Sequence, residues 1–267
     1  MVKNSHVKIG VVVFVLIVTV IGVTKALSLK NLKYSTQKTS SPTDTKNYIK
    51  NAEDRESQVL VALGSSTTKA NNLSSNLKGD NPEYSFATGT KINSLFLHLK
   101  QQRDNFIAVN LAESGATSYD VLQKQVPQAI SYQPAIITID IMADILSTAT
   151  PTAFKTNLKK IVDEIKDQNT TILIASYPNF SLLRTALHSA CQEDTLGVGV
   201  DQLSTEKIRS YNQIIQELAS EQNLIFVDLY NTLSPDDVSN YDCIHPNIEG
   251  QQKLAEAWIL ALEKGEN

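Results

Sequence analysis

The sequence predicts an α/β domain, a three-layer α/β/α sandwich built on a five-stranded, mostly parallel sheet. Three observations carry that expectation. Five short apolar runs, rich in β-branched residues, are spread along the chain. Segments with apolar residues three and four apart separate them, which is the helical period. The chain has 267 residues, 42% of them hydrophobic, enough for one well-buried domain and an appendage. Near-continuous apolar strands alternating with amphipathic helices are the pattern of a parallel sheet covered on both faces.

The strands come in order. Val59–Leu63, bounded by Gly64, is the first. "FIAVNL", Phe106–Leu111, is the second, and "AIITIDI", Ala135–Ile141, the third. "TILIA", Thr171–Ala175, and "LIFVDL", Leu224–Leu229, complete the set. The first helix is predicted over Ile92–Gln102, where Ile92, Leu95, Phe96 and Leu99 share a face. The second starts at Ser118 as an N-cap candidate, with Pro127 ending or kinking it. The third opens at Thr150-Pro151 and carries the stripe Phe154, Leu158, Ile161, Val162 and Ile165. The fourth opens at Ser204 with Ile208, Tyr211, Ile214, Ile215 and Leu218 on one face. "IEGQQKLAEAWILALEK" is the last, with Trp258 read as core.

The sequence divides into residues 1–27, 28–50 and 51–267. Lys3 and Lys8 precede Ile9–Thr24, sixteen residues without a charge. This reads as a single membrane anchor, with Lys25 able to snorkel before Ala26 and Leu27. A cleaved signal peptide competes with it, although Lys25 between Thr24 and Ala26 makes a poor cleavage site. Either way the basic flank stays inside and the rest is exported. Residues 28–50 are rich in Ser, Thr and Lys and read as a flexible tether.

Residues 1–50 carry eight Lys and one Asp, a balance of +7, while the remainder carries 16 basic and 27 acidic groups, a balance of −11. An acidic main domain has no electrostatic footprint for nucleic acid. Cys191 and Cys243 have no metal-ligand spacing. They could pair in an oxidising compartment, but spacing alone does not bring their Cα atoms together.

In such a sheet ligands sit at the carboxyl ends of the strands. "GSS", Gly64–Ser66, follows the first strand there. "NLAESGATSYD" with Gly115 follows the second, and "LSPDDVSNYDCIHPNIEG" with Asp242 and His245 follows the fifth. Ser, His and Asp are the set needed for nucleophilic acyl transfer. Serine needs a base, and the base needs an acid group to fix its tautomer. Each residue alone has a bland reading as turn, loop or cap; their placement on one sheet edge is what points to chemistry.

The order Gly-x-Ser after strand one, a Gly turn after strand two, and Asp-x-x-His-Pro-Asn-x-x-Gly before the last helix resembles the SGNH (GDSL-type) hydrolases. Membrane-tethered bacterial lipase/acylhydrolase-like members look most similar. The resemblance covers Val59 to the last helix and is strongest over "DCIHPNIEGQQKLAEAW". It implies a flavodoxin-like sheet, with Ser66 as nucleophile, His245 as base and Asp242 as orienting acid. The Ser66 and Gly115 N–H groups would be oxyanion donors. No metal or cofactor is implied. The expected activity is an extracytoplasmic serine esterase or acylhydrolase acting on a lipid ester, a cell-wall sugar ester or a small ester. The rival expectations are an impaired binding protein of the cell envelope and an acyltransferase.

Two departures from the family pattern bear on this. Ser65 stands where the family has Asp. In "TIDIMADIL", aligned on Asp144, the Gly position is Ile141 and the Asn position is Ala143, which has no side-chain donor. Two long connections are expected near the site. Thr67–Lys91 reads as a mobile flap. The insertion after strand four, which holds His188 and Cys191, reads as a cover that shapes the substrate pocket. His98 reads as a helix-surface or half-buried residue, and Cys243 as a poor nucleophile candidate, since it would point away from its neighbours' site.

Overall fold

The computed structural model describes residues 58–166, 169–181, 183 and 203–265. The expected anchor (1–27), the tether (28–50), and His188 and Cys191 of the insertion lie outside the described residues. Among the described residues no helix is long and apolar enough to cross a membrane.

Five strands form one sheet: β1 (Gln58–Gly64), β2 (Phe106–Asn110), β3 (Ile136–Asp140), β4 (Thr171–Ala175) and β5 (Ile225–Val227). The order is β2-β1-β3-β4-β5, and every pairing is parallel. The predicted strands are all present: β1 runs one residue longer at each end than expected, β4 matches, and β2, β3 and β5 are shorter. The register sets Gly64 opposite Asp140 and Ala62 opposite Asn110. The chain crosses to one side after β1 and to the other after β3. The carboxyl ends of these two strands therefore flank the crevice where such sheets hold ligands.

The helices are α1 (Leu95–Gln102), α2 (Ser118 to Ser131), α3 (Pro151–Ile165), α4 (Thr205–Gln222) and α5 (Ile248–Gly265). α1 packs against α5, while α2, α3 and α4 form a second group, giving the two outer layers. The apolar stripe of α3 is buried at all five expected positions, and Thr150 caps it by accepting the Ala153 N–H. Ser204 caps α4 in the same way through Lys207. Trp258 is fully buried and stacks on Phe86 with ring centroids 5.2 Å apart. His98 lies between Gln102 and Glu263, half-buried.

Two expectations are corrected, and one left open is decided. α1 starts at Leu95 and not Ile92, because Ser94 turns the chain and accepts the Leu97 N–H. The N-cap of α2 is Thr117 and not Ser118. Thr117 and Asp120 form a reciprocal capping box, and the Ser118 N–H donates to the Asp144 carboxylate instead. Pro127 does not end α2. A π-helical turn, Val121–Gln125, precedes it, and α geometry resumes over Val126–Ser131. Such a bulge takes up the bond that proline cannot donate.

The segment read as a mobile flap, Thr67–Lys91, is instead tied down along its length. Asn71 bridges to Asp80, Asn72 exchanges bonds with Gly79, and the Asn81 amide donates to the carbonyls of Gly79 and Leu77. A segment without apolar period lacks strand or helix signals, yet side-chain amides satisfy its backbone.

Candidate active site

The strand β1 ends on Gly64, and its peptide is gripped from three sides. The buried Gln125 side chain accepts its N–H and donates to its carbonyl, both at 2.9 Å, and the Glu113 N–H donates to the same carbonyl. A Cβ at residue 64 would stand 2.4 Å from both the Asp140 carbonyl oxygen and Thr68 Oγ1, so only glycine fits. Ser65 is fully buried. Its N–H donates to the Asp140 carbonyl, and its Oγ accepts the Met142 N–H. Ser65, where the family has Asp, thus stitches β1 to the end of β3. Ser66 follows, half-buried, on a turn closed by the Asn71 N–H donating to its carbonyl.

The acid–base turn is self-wound. The Ser239 N–H donates to the His245 carbonyl, and the Cys243 N–H to the Ser239 carbonyl. Cys243 takes a left-handed conformation, φ +54°, and is disulfide-bonded. Asp242 folds its carboxylate back on its own turn. Oδ1 accepts the N–H groups of Ile244 and His245 at 3.1 Å each, and Oδ2 lies 2.6 Å from His245 Nδ1. Asn72 Nδ2 donates to the same Oδ2 at 2.9 Å. Burial pushes the Asp242 carboxyl up, but the His245 ring, its charge and the turn N–H groups outweigh this and hold it below the ordinary carboxylate range.

With Nδ1 committed to Asp242, Nε2 of His245 is the nitrogen left for a substrate or a serine hydroxyl. Among the described residues no hydrogen bond joins it to Ser66 Oγ. Hydrogen bonds of this kind are often long until substrate closes the site. Likewise, among the described residues neither the Ser66 N–H nor the Gly115 N–H donates a hydrogen bond. Gly115 has φ +81°, a left-handed conformation that glycine adopts without strain. Two such N–H groups, if they converge on one carbonyl oxygen, are what a developing oxyanion requires.

The third position expected for an oxyanion donor is Ala143. Ala143 opens the 3-10 turn Ala143–Leu146 and offers no side-chain donor. Asp144, the next residue of that turn, is engaged elsewhere. Its two oxygens accept the Ser118 N–H and Oγ. Burial raises its carboxyl above the ordinary range despite those bonds. Asp140, at the end of β3, is fully buried. Among the described residues only Thr68 donates to its carboxylate, and Oδ1 has no partner. Burial pushes this carboxyl up to about 7, with the Thr68 bond opposing.

Sequence reasoning named Ser66, Gly115, Asp242 and His245, and all four stand on the loops at the carboxyl edge of the sheet. It missed Asn72, Gln125 and Gln251. Gln251 accepts the Phe86 N–H and donates to the Thr67 carbonyl from the first turns of α5. Polar residues that support a site from across the fold have no period or spacing to reveal them. Among the described residues no group of His, Cys, Asp and Glu could hold a metal ion.

Residues 62–253 match the GDSL-like lipase/acylhydrolase family. Solved structures similar to this chain include a lipase/acylhydrolase from Enterococcus faecalis, at 17% identity and TM-score 0.55, covering 78% of this chain and 96% of that one. A GDSL-like lipase from Bacteroides thetaiotaomicron has 17% identity and TM-score 0.54, covering 82% and 97%. An acetylxylan esterase from Geobacillus stearothermophilus has 18% identity and TM-score 0.54, covering 77% and 94%. At such identities the likeness establishes the fold alone. No curated protein matches the chain.

Proposed function

Because this chain belongs to the GDSL-like lipase/acylhydrolase family, we propose that it is a membrane-tethered, extracytoplasmic serine ester hydrolase with Ser66, His245 and Asp242 as its triad. The observation that carries this is the Asp242–His245 pair, bonded at 2.6 Å through Nδ1, with Nε2 unbonded among the described residues.

The chemistry follows. His245 Nε2 takes the Ser66 hydroxyl proton as Oγ bonds to the ester carbonyl carbon. Asp242 stabilises the imidazolium that results. The carbonyl oxygen becomes an oxyanion held by the Ser66 and Gly115 N–H groups. Collapse breaks the bond to the leaving alkoxide, which takes the proton back from Nε2. Water then repeats the sequence on the acyl-serine and frees the acid.

The location rests on two supports. The uncharged stretch Ile9–Thr24 with lysines before it suits an anchor whose basic flank stays inside. The disulfide at Cys243 suits an oxidising compartment. Tethering would bring lipid esters, cell-wall sugar esters and small esters of the envelope within reach. One observation favours a second reading, an impaired cleft that binds its ligand without turning it over: Ala143 supplies no third oxyanion donor.

The test is labelling of the full-length chain with a fluorophosphonate, followed by peptide mass spectrometry. A single adduct on Ser66, lost in His245→Ala, is expected. A folded chain that takes no adduct overturns the hydrolase reading in favour of the impaired cleft.

A further inference from the structure

We propose that Asn72 is a positioning residue for the Asp242–His245 pair, and that the loop Asn71–Asn81 clamps the acid–base turn and the oxyanion turn to each other. The inference rests on the proposed triad.

The Asp242 carboxylate receives bonds from Ile244, His245 and Asn72. Two of these donors belong to its own turn and move with it. Among the described residues Asn72 is the one donor from elsewhere, 170 positions away in sequence. It therefore fixes the carboxylate, and through it the imidazole, relative to the rest of the domain.

The orientation of the Asn72 amide follows from its other partners. The Gly79 N–H donates to its Oδ1 at 2.8 Å, so the opposite atom must be the NH2 group that faces Asp242. The Asn72 N–H donates to the Gly79 carbonyl at 2.9 Å, which closes a ring around the residue. Asn72 has φ +49°, a left-handed conformation that asparagine tolerates better than most residues.

The loop is held on two sides. Lys78 sets its ammonium 4.2 Å from the centroid of the Tyr241 ring, beside Asp242. On the other flank the Ser114 hydroxyl donates to Asp80 Oδ1 at 2.6 Å, and Asn71 Nδ2 donates to that same oxygen at 2.7 Å. Ser114 precedes Gly115. One loop, starting a few residues after Ser66, thus touches the neighbours of both the acid and the oxyanion donor.

The experiment compares the full-length protein with Asn72→Asp and Asn72→Gly, measuring the rate of Ser66 phosphonylation by a fluorophosphonate across pH. Asn72→Asp is isosteric, tolerates the left-handed backbone and keeps the acceptor for Gly79. It replaces the donor facing Asp242 with an anionic oxygen. The rate should fall about tenfold or more. The acid limb of the profile should move up by about one pH unit, because a second negative charge beside the pair favours protonated His245. A residue that served only the loop would leave both unchanged, so a wild-type rate and profile overturn the proposal. If thermal melts show that Asn72→Asp does not fold, Asn72→Gly decides: a rate about tenfold lower supports the clamp, and a wild-type rate overturns it. Failure of the wild-type chain to label at Ser66 is a different result, and it removes the triad itself.

Discussion

Gly64 and Asp140 face each other across β1 and β3, so close that a methyl on residue 64 would stand 2.4 Å from the Asp140 carbonyl oxygen. That carbonyl also accepts the Ser65 N–H, so the contact lies two residues before Ser66 in the chain and is bonded to its neighbour. Gly64→Ala should push β1 from β3 and lower stability by about 1–3 kcal/mol, the usual cost of overpacking. Denaturant unfolding measures the loss. Ser66 phosphonylation should slow in the same variant, since its turn starts from the displaced strand end.

The Asp140 side chain makes a separate prediction. Its folded value of about 7 lies above the ordinary 3.8, chiefly through burial. Between those values the native state holds a proton that the unfolded chain has released. This group's contribution to stability therefore falls as pH rises through that window, and the full cost stands above it. Asp140→Asn removes the ionisation. Relative to wild type, its melting temperature should rise between about pH 5 and about pH 8. Parallel melts at the two values check it; an unchanged difference would mean that the carboxyl does not titrate there.

Asp242 has the opposite sign. Its carboxyl is held below the ordinary range, so its contribution to stability is present above the unfolded value and is lost as pH falls through the folded one. In Asp242→Asn an amide can face Nδ1 with either its oxygen or its NH2, and the imidazolium loses its counter-charge. Ester hydrolysis should fall by about 10⁴-fold. Hydrolysis of p-nitrophenyl acetate reads this directly.

Ala143 offers a gain-of-function test. If two N–H groups are all the oxyanion receives, Ala143→Asn should raise turnover by on the order of 10². The gain should appear in kcat more than in KM, because the donor meets charge that exists only in the transition state. A variant that folds and hydrolyses at the wild-type rate would mean that another donor already occupies the position.

Elements with a period are legible in the residue pattern alone. The α3 stripe from Phe154 to Ile165 and the apolar run Leu60–Leu63 each report their own burial, because a helix or strand repeats its exposure at a fixed interval. The caps Thr150 and Ser204 are legible for a similar reason: the donor they satisfy lies three residues away. Thr117 is less so. Ser118 beside it has an equally suitable hydroxyl, and the choice depends on Asp144, distant in sequence, taking up Ser118. Pro127 is only partly legible for a related reason: it leaves open whether the helix ends or continues. The π turn before it places Gln125 where its amide can grip Gly64, a reward invisible to local propensity.

The α/β order of elements and the family were readable from residue type and spacing, and so were Ser66, Gly115, Asp242 and His245 as the proposed site positions. Tertiary structure alone decided which polar side chains hold those positions in place. Asn72 on Asp242, Gln125 on Gly64 and Ser114 on Asp80 are hydrogen bonds between residues 34 to 170 apart. A hydrogen bond needs its two atoms within about 3 Å and aligned. Only the folded backbone sets that geometry, and the amino-acid pattern on either side of it leaves no trace of the partner.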